Sequence, residues 1–258
     1  MDGRIVTAEE LSLAHRLGNF CPVYKVDAST VVKTGDCIRL AEAATMRLVR
    51  RLTNIPVPEV YHAYTDEDSG HVRIVMEFVE GDILADVWDT FDPIQKTKVV
   101  EQLRGLCAQL RSIKGPFIGC VDGTACEDQL FTSEPGAYGP YENERTFNEG
   151  IIIALKSSRQ DPWVEMVANM ILNCLNDHDI VLTHGDFCPR NIIVQGTKVV
   201  AIIDWELSGF YPEYWEYVKA LYRPAWESGW IKEGAVDTIL DPYYQELAIM
   251  LHTREIIW

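Results

Sequence analysis

The residues best suited to chemistry fall in one stretch, His184-Gly185-Asp186-Phe187-Cys188-Pro189-Arg190-Asn191, with Asp204 following in Ile202-Ile203-Asp204-Trp205-Glu206. The pattern is H-G-D-x-x-x-x-N, then an acid at the end of an apolar run. Phosphoryl transfer asks little covalent chemistry of a protein. It needs a carboxylate near the attacking hydroxyl and oxygen ligands that hold Mg²⁺ on nucleotide phosphates. Mg²⁺ prefers hard oxygens and keeps several waters, so one carboxylate and one amide carbonyl suffice. Asp186 and Asn191 lie on one short loop and can converge on a metal-bound phosphate, while a hairpin over 192–203 returns the chain and presents Asp204 beside them. Taken singly, Asp186 reads as a turn carboxylate and Asp204 as an ordinary acid after a strand. The ordered set is what points to chemistry.

These residues need elements to hold them. The β-branched run 29–33, closed by Thr34-Gly35, predicts a strand. Leu40, Ala44, Leu48 and Leu52 recur at four-residue steps and predict an amphipathic helix over 39–52. Pro56 and Pro58 force an extended segment, and the β-rich stretches 59–64 and 71–79 flank a turn at Thr65–Gly70. Beyond Glu80-Gly81 helices dominate, over 84–91, 93–113, 147–157 and 162–176, with an irregular stretch over 114–145. Short strands follow at 180–183, 192–195 and 199–203, then helices at 213–221 and 241–257. The expected division is an N-terminal lobe over 1–81 and a C-terminal lobe over 82–258, an α+β chain.

The His184–Asn191 loop and Asp204 resemble the catalytic loop and metal-binding acid of the aminoglycoside phosphotransferase and choline kinase group, and the run 199–221 is most similar to its fungal members. The resemblance covers most of the chain and implies a two-lobed, protein-kinase-like fold that uses ATP and Mg²⁺. It makes Asp186 the catalytic base and Asn191 and Asp204 the Mg²⁺ ligands. It calls for a strand Lys on the nucleotide phosphates and a helix Glu to orient it. Lys33 ends the 29–33 strand, and Glu42 is the one acid on the following helix. The run 74–81 resembles a kinase hinge. There Met76 limits the adenine pocket, the Glu77 C=O accepts from the adenine amino group and the Val79 N–H donates. Gly185, where protein kinases carry Arg, and Asp204-Trp205-Glu206 in place of D-F-G, point to the small-molecule branch. The chain departs from the pattern ahead of Lys33, where 17–25 holds only Gly18 and no G-x-G-x-x-G. The expected function is phosphorylation of a small-molecule hydroxyl, with a protein kinase and a catalytically silent nucleotide-binding protein as rivals.

Composition narrows the partners. The 258 residues carry 23 Lys+Arg against 39 Asp+Glu, a net charge of −16, which opposes binding to nucleic acid or anionic membranes. Residues 1–81 hold 9 basic and 12 acidic side chains (−3), leaving 14 and 27 (−13) for 82–258. With Glu206, Glu213 and Glu216 near the metal-binding acid, this favours a positively charged acceptor. Phe210, Tyr211, Tyr214, Trp215 and Tyr217 are candidates for a cation cage, or equally for core. Seven Cys without a C-x-x-C pair read as reduced cytoplasmic thiols, and no apolar run approaches the ~20 residues of a membrane span. Cys188 lies in the loop without a partner that would activate it. His184 reads as a brace for the loop, and the spacing of His62, His71, His178 and His252 suggests no metal site.

Overall fold

A capping box opens the first helix. The Thr7 side chain accepts from the Glu10 N–H and the Glu10 carboxylate accepts from the Thr7 N–H, starting α1 (Ala8–Leu13). The computed structural model describes residues 3–17, 22–131 and 138–257. Three strands follow, β1 (His15–Leu17), β2 (Val23–Lys25) and β3 (Thr30–Gly35), then α2 (Leu40–Leu52), β4 (Val60–Thr65) and β5 (Val72–Glu77). They form one antiparallel sheet in the order β1-β2-β3-β5-β4. β3 is central, between β2 and β5, so its residues Thr30–Thr34 are all buried. That placement buries Lys33, paired in register with Ile74 of β5 and Val23 of β2. α2 buries Ala41, Glu42, Ala43, Thr45, Met46 and Val49, a face that includes one acid.

The chain changes sheets after Glu77. Gly81 has φ +155°, and a Cβ there would lie 2.6 Å from Ile193 Cγ2 and 2.7 Å from the Val194 oxygen. Only glycine lets the connector lie this close, and the next strand, β6 (Asp82–Ile83), joins β8. After α3 (Leu84–Val87), a 3-10 turn at Trp88–Thr90 leads to α4 (Pro93–Arg111), which starts with an Asp92/Gln95 capping box and Pro93 in its first turn. Then come α5 (Glu144–Ser158), α6 (Pro162–Cys174), β7 (Ile180–Thr183), β8 (Ile192–Gln195), β9 (Lys198–Ile202) and β10 (Gly209–Pro212). The chain closes with α7 (Trp215–Tyr222), α8 (Gly229–Lys232), α9 (Ala235–Ile239) and α10 (Tyr244–Ile257). β6-β8-β9 and β10-β7 are the two smaller sheets.

One core joins the lobes, packing Met46, Val49, Ile55 and Val57 with Leu103, Leu182, Ile202 and Trp205. A second lies deeper in the helical part around Phe147, Ile151, Val167 and Met250. The aromatic run expected as a possible cation cage belongs to these cores: Tyr211, Tyr214, Trp215 and Tyr217 are all at most 1% exposed. Tyr211 stacks on Trp215 at 5.3 Å, and Phe147 meets Trp215 edge-on at 5.1 Å, so these rings are spent on packing. The irregular stretch 114–145 is pinned by bridges of Ile118 to Tyr141 and Gly119 to Phe210, with 132–137 outside the described residues. No helix among the described residues is long and apolar enough to cross a membrane.

Candidate active site

Strand β3 and helix α2 deliver Lys33 and Glu42 to one point. The Lys33 Nζ donates to Glu42 Oε1 at 2.9 Å, to Asp204 Oδ1 at 2.5 Å and to Glu206 Oε2 at 3.0 Å. Lys33 and Glu42 are each 3% exposed, whereas the Asp204 and Glu206 side chains keep about a third of their surface open to the cleft. Three carboxylates share one ammonium. Burial would push the Lys33 amine down, but Glu42, Asp204 and Glu206 outweigh it and hold the ammonium firmly protonated. Glu42 moves the other way for an acid. Burial, helped by its anionic neighbours, pushes it up to about 7 against the pull of Lys33. Its Oε2 has no hydrogen-bond donor among the described residues. An excess of negative charge around one lysine suits a site that receives a metal cation with its phosphates.

The loop between β7 and β8 carries Asp186 and Asn191. Asn191 Nδ2 donates to both the Asp186 backbone oxygen, at 2.9 Å, and Asp186 Oδ2, at 2.8 Å, tying the ends of the D-x-x-x-x-N segment together. The Asn191 carbonyl accepts from the Ile203 N–H at 2.9 Å, which brings Asp204 to the loop by main-chain pairing. His184 does the same from the other side: its Nδ1 accepts from the Asp186 N–H at 3.2 Å and its Nε2 donates to the Ile203 carbonyl at 3.0 Å. Those bonds assign the proton to Nε2 and make His184 a brace. Asp204 itself has φ +66°, a left-handed conformation that a non-glycine residue adopts at a cost.

Glu216, at the start of α7, holds the loop from below. Its Oε2 accepts from the His184 N–H at 2.6 Å and its Oε1 from the Gly185 N–H at 3.0 Å, and the side chain is 4% exposed. Burial raises its carboxyl above the usual range, against the pull of His184 and the two amides. This role differs from the ligand-facing one its position in the sequence suggested. A carboxylate inside Trp215-Glu216-Tyr217-Val218, all buried, must find donors, and that embedded acid was the available signal. Glu213 is likewise engaged, its Oε2 3.3 Å from Arg111 Nη2. The three acids expected to favour a cationic acceptor therefore serve Lys33, Arg111 and the loop backbone. Burial pushes the Cys188 thiol up to about 11, so it is protonated at neutral pH and a poor nucleophile.

Met76 and Glu77 end β5, with Met76 opposite Val31 and Val60. The Phe78 N–H donates to the Ser29 carbonyl at 2.7 Å and the Glu77 N–H to the Glu59 carbonyl at 2.9 Å, which fixes the strand end leading to Val79. Gly18 and the rest of 18–21, where a phosphate-binding loop would precede Lys33, lie outside the described residues. On the other side of the Asp186 loop, a cavity of about 390 Å³ opens between Trp88, α7 and α8, lined by Asp186, Arg190, Arg223 and Trp230 among others.

The chain matches the model of the phosphotransferase enzyme family over residues 38–249. No curated protein matches it by sequence. Among solved structures, the chain is similar to an apo thermostable mutant of aminoglycoside phosphotransferase APH(4)-Ia at TM-score 0.62 and 15% identity, over 93% of this chain and 83% of that one. The streptomycin–ATP–APH(2'')-IIa ternary complex aligns at TM-score 0.61 and 16% identity, over 98% and 86%. ADP-bound APH(2'')-Ib aligns at 0.61 and 17%, over 97% and 86%. At these identities the likeness is one of fold, and it is the two-lobed, kinase-like α+β fold expected from the sequence. The matched span begins after Lys33 but carries Glu42, Asp186, Asn191 and Asp204, and the chain belongs to the phosphotransferase enzyme family.

Proposed function

We propose that this chain moves the γ-phosphoryl group of Mg·ATP to a hydroxyl of a small molecule held beside Asp186. The observation that carries the reading is the convergence of Glu42, Asp204 and Glu206 on the Lys33 ammonium, next to a braced loop whose Asp186 lines an open cavity. Lys33 holds the α/β-phosphates and Glu42 orients it. Adenine lies at the strand end, where the Glu77 C=O accepts, the Val79 N–H donates and Met76 limits depth. Asp186 orients the acceptor hydroxyl and takes its proton.

The donor set suits Mg²⁺. Asp204 offers a carboxylate and Asn191 an amide oxygen, its Nδ2 being committed to Asp186. No group of three His, Cys, Asp or Glu side chains that could hold a metal alone occurs among the described residues, which fits an ion that shares its ligands with phosphates and water. Bound there, Mg²⁺ supplies charge neutralisation on the phosphate oxygens.

Protein phosphorylation is the weaker reading. Trp205 is fully buried, with its Nε1–H on the Ile202 carbonyl at 2.9 Å, and β10 begins at Gly209. That leaves no length for a switching activation segment between Asp204 and β10. Two variants test the assignment. Asp186→Asn should keep Mg·ATP binding in calorimetry and lower turnover by a factor on the order of 10²–10⁴. Asp204→Ala should lose Mg·ATP affinity while still folding. Intact Mg·ATP affinity in folded Asp204→Ala would make Asp204 structural and remove the basis of the reading.

A further inference from the structure

All three donors of Lys33 are taken. An ammonium carries three N–H bonds, and the Lys33 Nζ directs them to Glu42 Oε1 at 2.9 Å, Asp204 Oδ1 at 2.5 Å and Glu206 Oε2 at 3.0 Å. Phosphate oxygens that come to this lysine must therefore displace carboxylates. The three are not equally displaceable. Glu42 is 3% exposed, and leaving Lys33 would make it a buried carboxylate parted from its cation, which is the costly case. Asp204 belongs to the donor set for Mg²⁺, so a metal gives it a second cation to turn to. Glu206 has no such role, yet it holds a full share of the lysine.

The local structure lets Glu206 move its side chain alone. Its neighbour Trp205 is fully buried, donates its indole N–H to the Ile202 carbonyl at 2.9 Å and accepts the Ser208 N–H on its own carbonyl at 3.1 Å. The backbone on which Glu206 stands is thus pinned, whereas its side chain is 32% exposed and reaches the cleft. The surroundings are negative on more than one side. Burial raises the Glu127 carboxyl, and Glu206 adds to that push while Arg39, 3.7 Å away, opposes it. A carboxylate turned off Lys33 stays among acids and close to the arriving phosphates, where like charges repel.

Resting on the phosphotransferase reading above, we propose that Glu206 is a built-in competitor of the nucleotide phosphates for Lys33, a specificity-determining acid that sets the site against nucleotide arriving without its metal. Its carboxylate occupies a donor that a phosphate oxygen must take. Lys33 keeps Glu42 and needs two donors to span the α- and β-phosphates, one released by Asp204 and the other by Glu206. With Mg²⁺ on the phosphates, Asp204 turns to the metal and the displaced Glu206 meets a nucleotide of lower charge. Without the metal, both acids keep their claim on Lys33 and both repel the phosphates. Discrimination between the two forms of the nucleotide then comes from the protein as well as from the ion.

The test titrates the intact chain with the fluorescent analogue N-methylanthraniloyl-ADP at one ionic strength, once in excess Mg²⁺ and once in EDTA. Glu206→Gln should tighten binding in EDTA by about ten- to a hundredfold, the worth of one bond between charged groups, and tighten the Mg²⁺ form by less. Glu206→Ala, which leaves no group on Lys33, should gain at least as much and stands in for a glutamine variant that folds poorly. Glu127→Gln removes a nearby charge but no bond to Lys33, and should change either affinity by less than about fivefold. Weaker binding of the Mg²⁺ form by the folded Glu206 variants would make Glu206 a metal ligand and overturn the proposal. An equal gain in Glu127→Gln would overturn it too. Wild type that binds the probe in Mg²⁺, with no gain in EDTA for either Glu206 variant, refutes the competitor alone. No binding by any of these proteins in either condition refutes the nucleotide reading, and the proposal falls with it.

Discussion

Removing the Glu216 carboxylate should loosen the loop that carries Asp186 more than any surface change near it. Glu216→Ala takes away the acceptor of two buried amides, those of His184 and Gly185, at 2.6 and 3.0 Å. Each such bond to a charged acceptor contributes about 1.5–3 kcal/mol. Against this, alanine removes the cost of burying a carboxylate, a cost visible in the upward push on the Glu216 carboxyl. The balance is a loss of about 3 kcal/mol, which for a chain of this size corresponds to a fall in Tm of roughly 6–12 °C. Glu216→Gln keeps one acceptor but turns an NH₂ toward the second amide, so its loss should be about half as large. Asp186 is carried by this loop, whereas Lys33 and Asp204 are the residues proposed to hold the nucleotide, so on that proposal kcat should fall more than Mg·ATP affinity. Thermal melts by circular dichroism and steady-state ADP release measure both. A Glu216→Ala protein that melts within about 2 °C of wild type and keeps its kcat would refute the reasoning.

Gly185→Ala should be strongly destabilising, by about 2–4 kcal/mol in chemical denaturation, because φ is +84° and the new Cβ would sit 2.4 Å from the Leu207 oxygen. Glu42, pushed up to about 7 by burial, holds a proton when folded that the unfolded chain releases near 4.5. Stability should therefore fall as pH rises from 4.5 through 7, and Glu42→Gln should remove that part of the slope in melts across the range. Lys33 stays protonated throughout that window and does not contribute to the slope. Cys188, with its thiol raised to about 11, should react with iodoacetamide far more slowly at pH 7 than a free thiol, as mass spectrometry of the tryptic peptide would show.

The sequence revealed what local spacing encodes. His184, Asp186 and Asn191 sit on one loop, so their meeting needs no long-range geometry. Lys33 and Glu42 follow from a β-branched strand and a periodic helix, and they meet at 2.9 Å. β3, α2, β4, β5, α4 and α6 were legible for the same reason. β1, β2, β6 and β10 were not: each has two to four residues, too few to alternate, and β10 contains both Gly209 and Pro212. α8 and α9, of four and five residues, are shorter than the period that reveals a helix. The internal contacts of Glu206, Glu213 and Glu216 were not legible because their partners come from β3, α4 and the β7–β8 loop, distant in sequence. The cavity beside Asp186 was hidden likewise, assembled from Trp88, Arg190, Arg223 and Trp230.

The central claim is that Asp186 serves phosphoryl transfer from ATP to a small-molecule hydroxyl, and phosphorus NMR follows that transfer most directly. Wild-type protein with Mg²⁺, ATP and a panel of hydroxylated acids, neutral alcohols and amino-alcohols should convert the γ-phosphate signal into a phosphate-ester signal on at least one acceptor. The same sample made with Asp186→Asn should show the conversion slowed by a factor on the order of 10²–10⁴, with Mg·ATP still bound. Ester formation at equal rates in both proteins, or Mg·ATP left unchanged by wild type with every acceptor, would contradict the account.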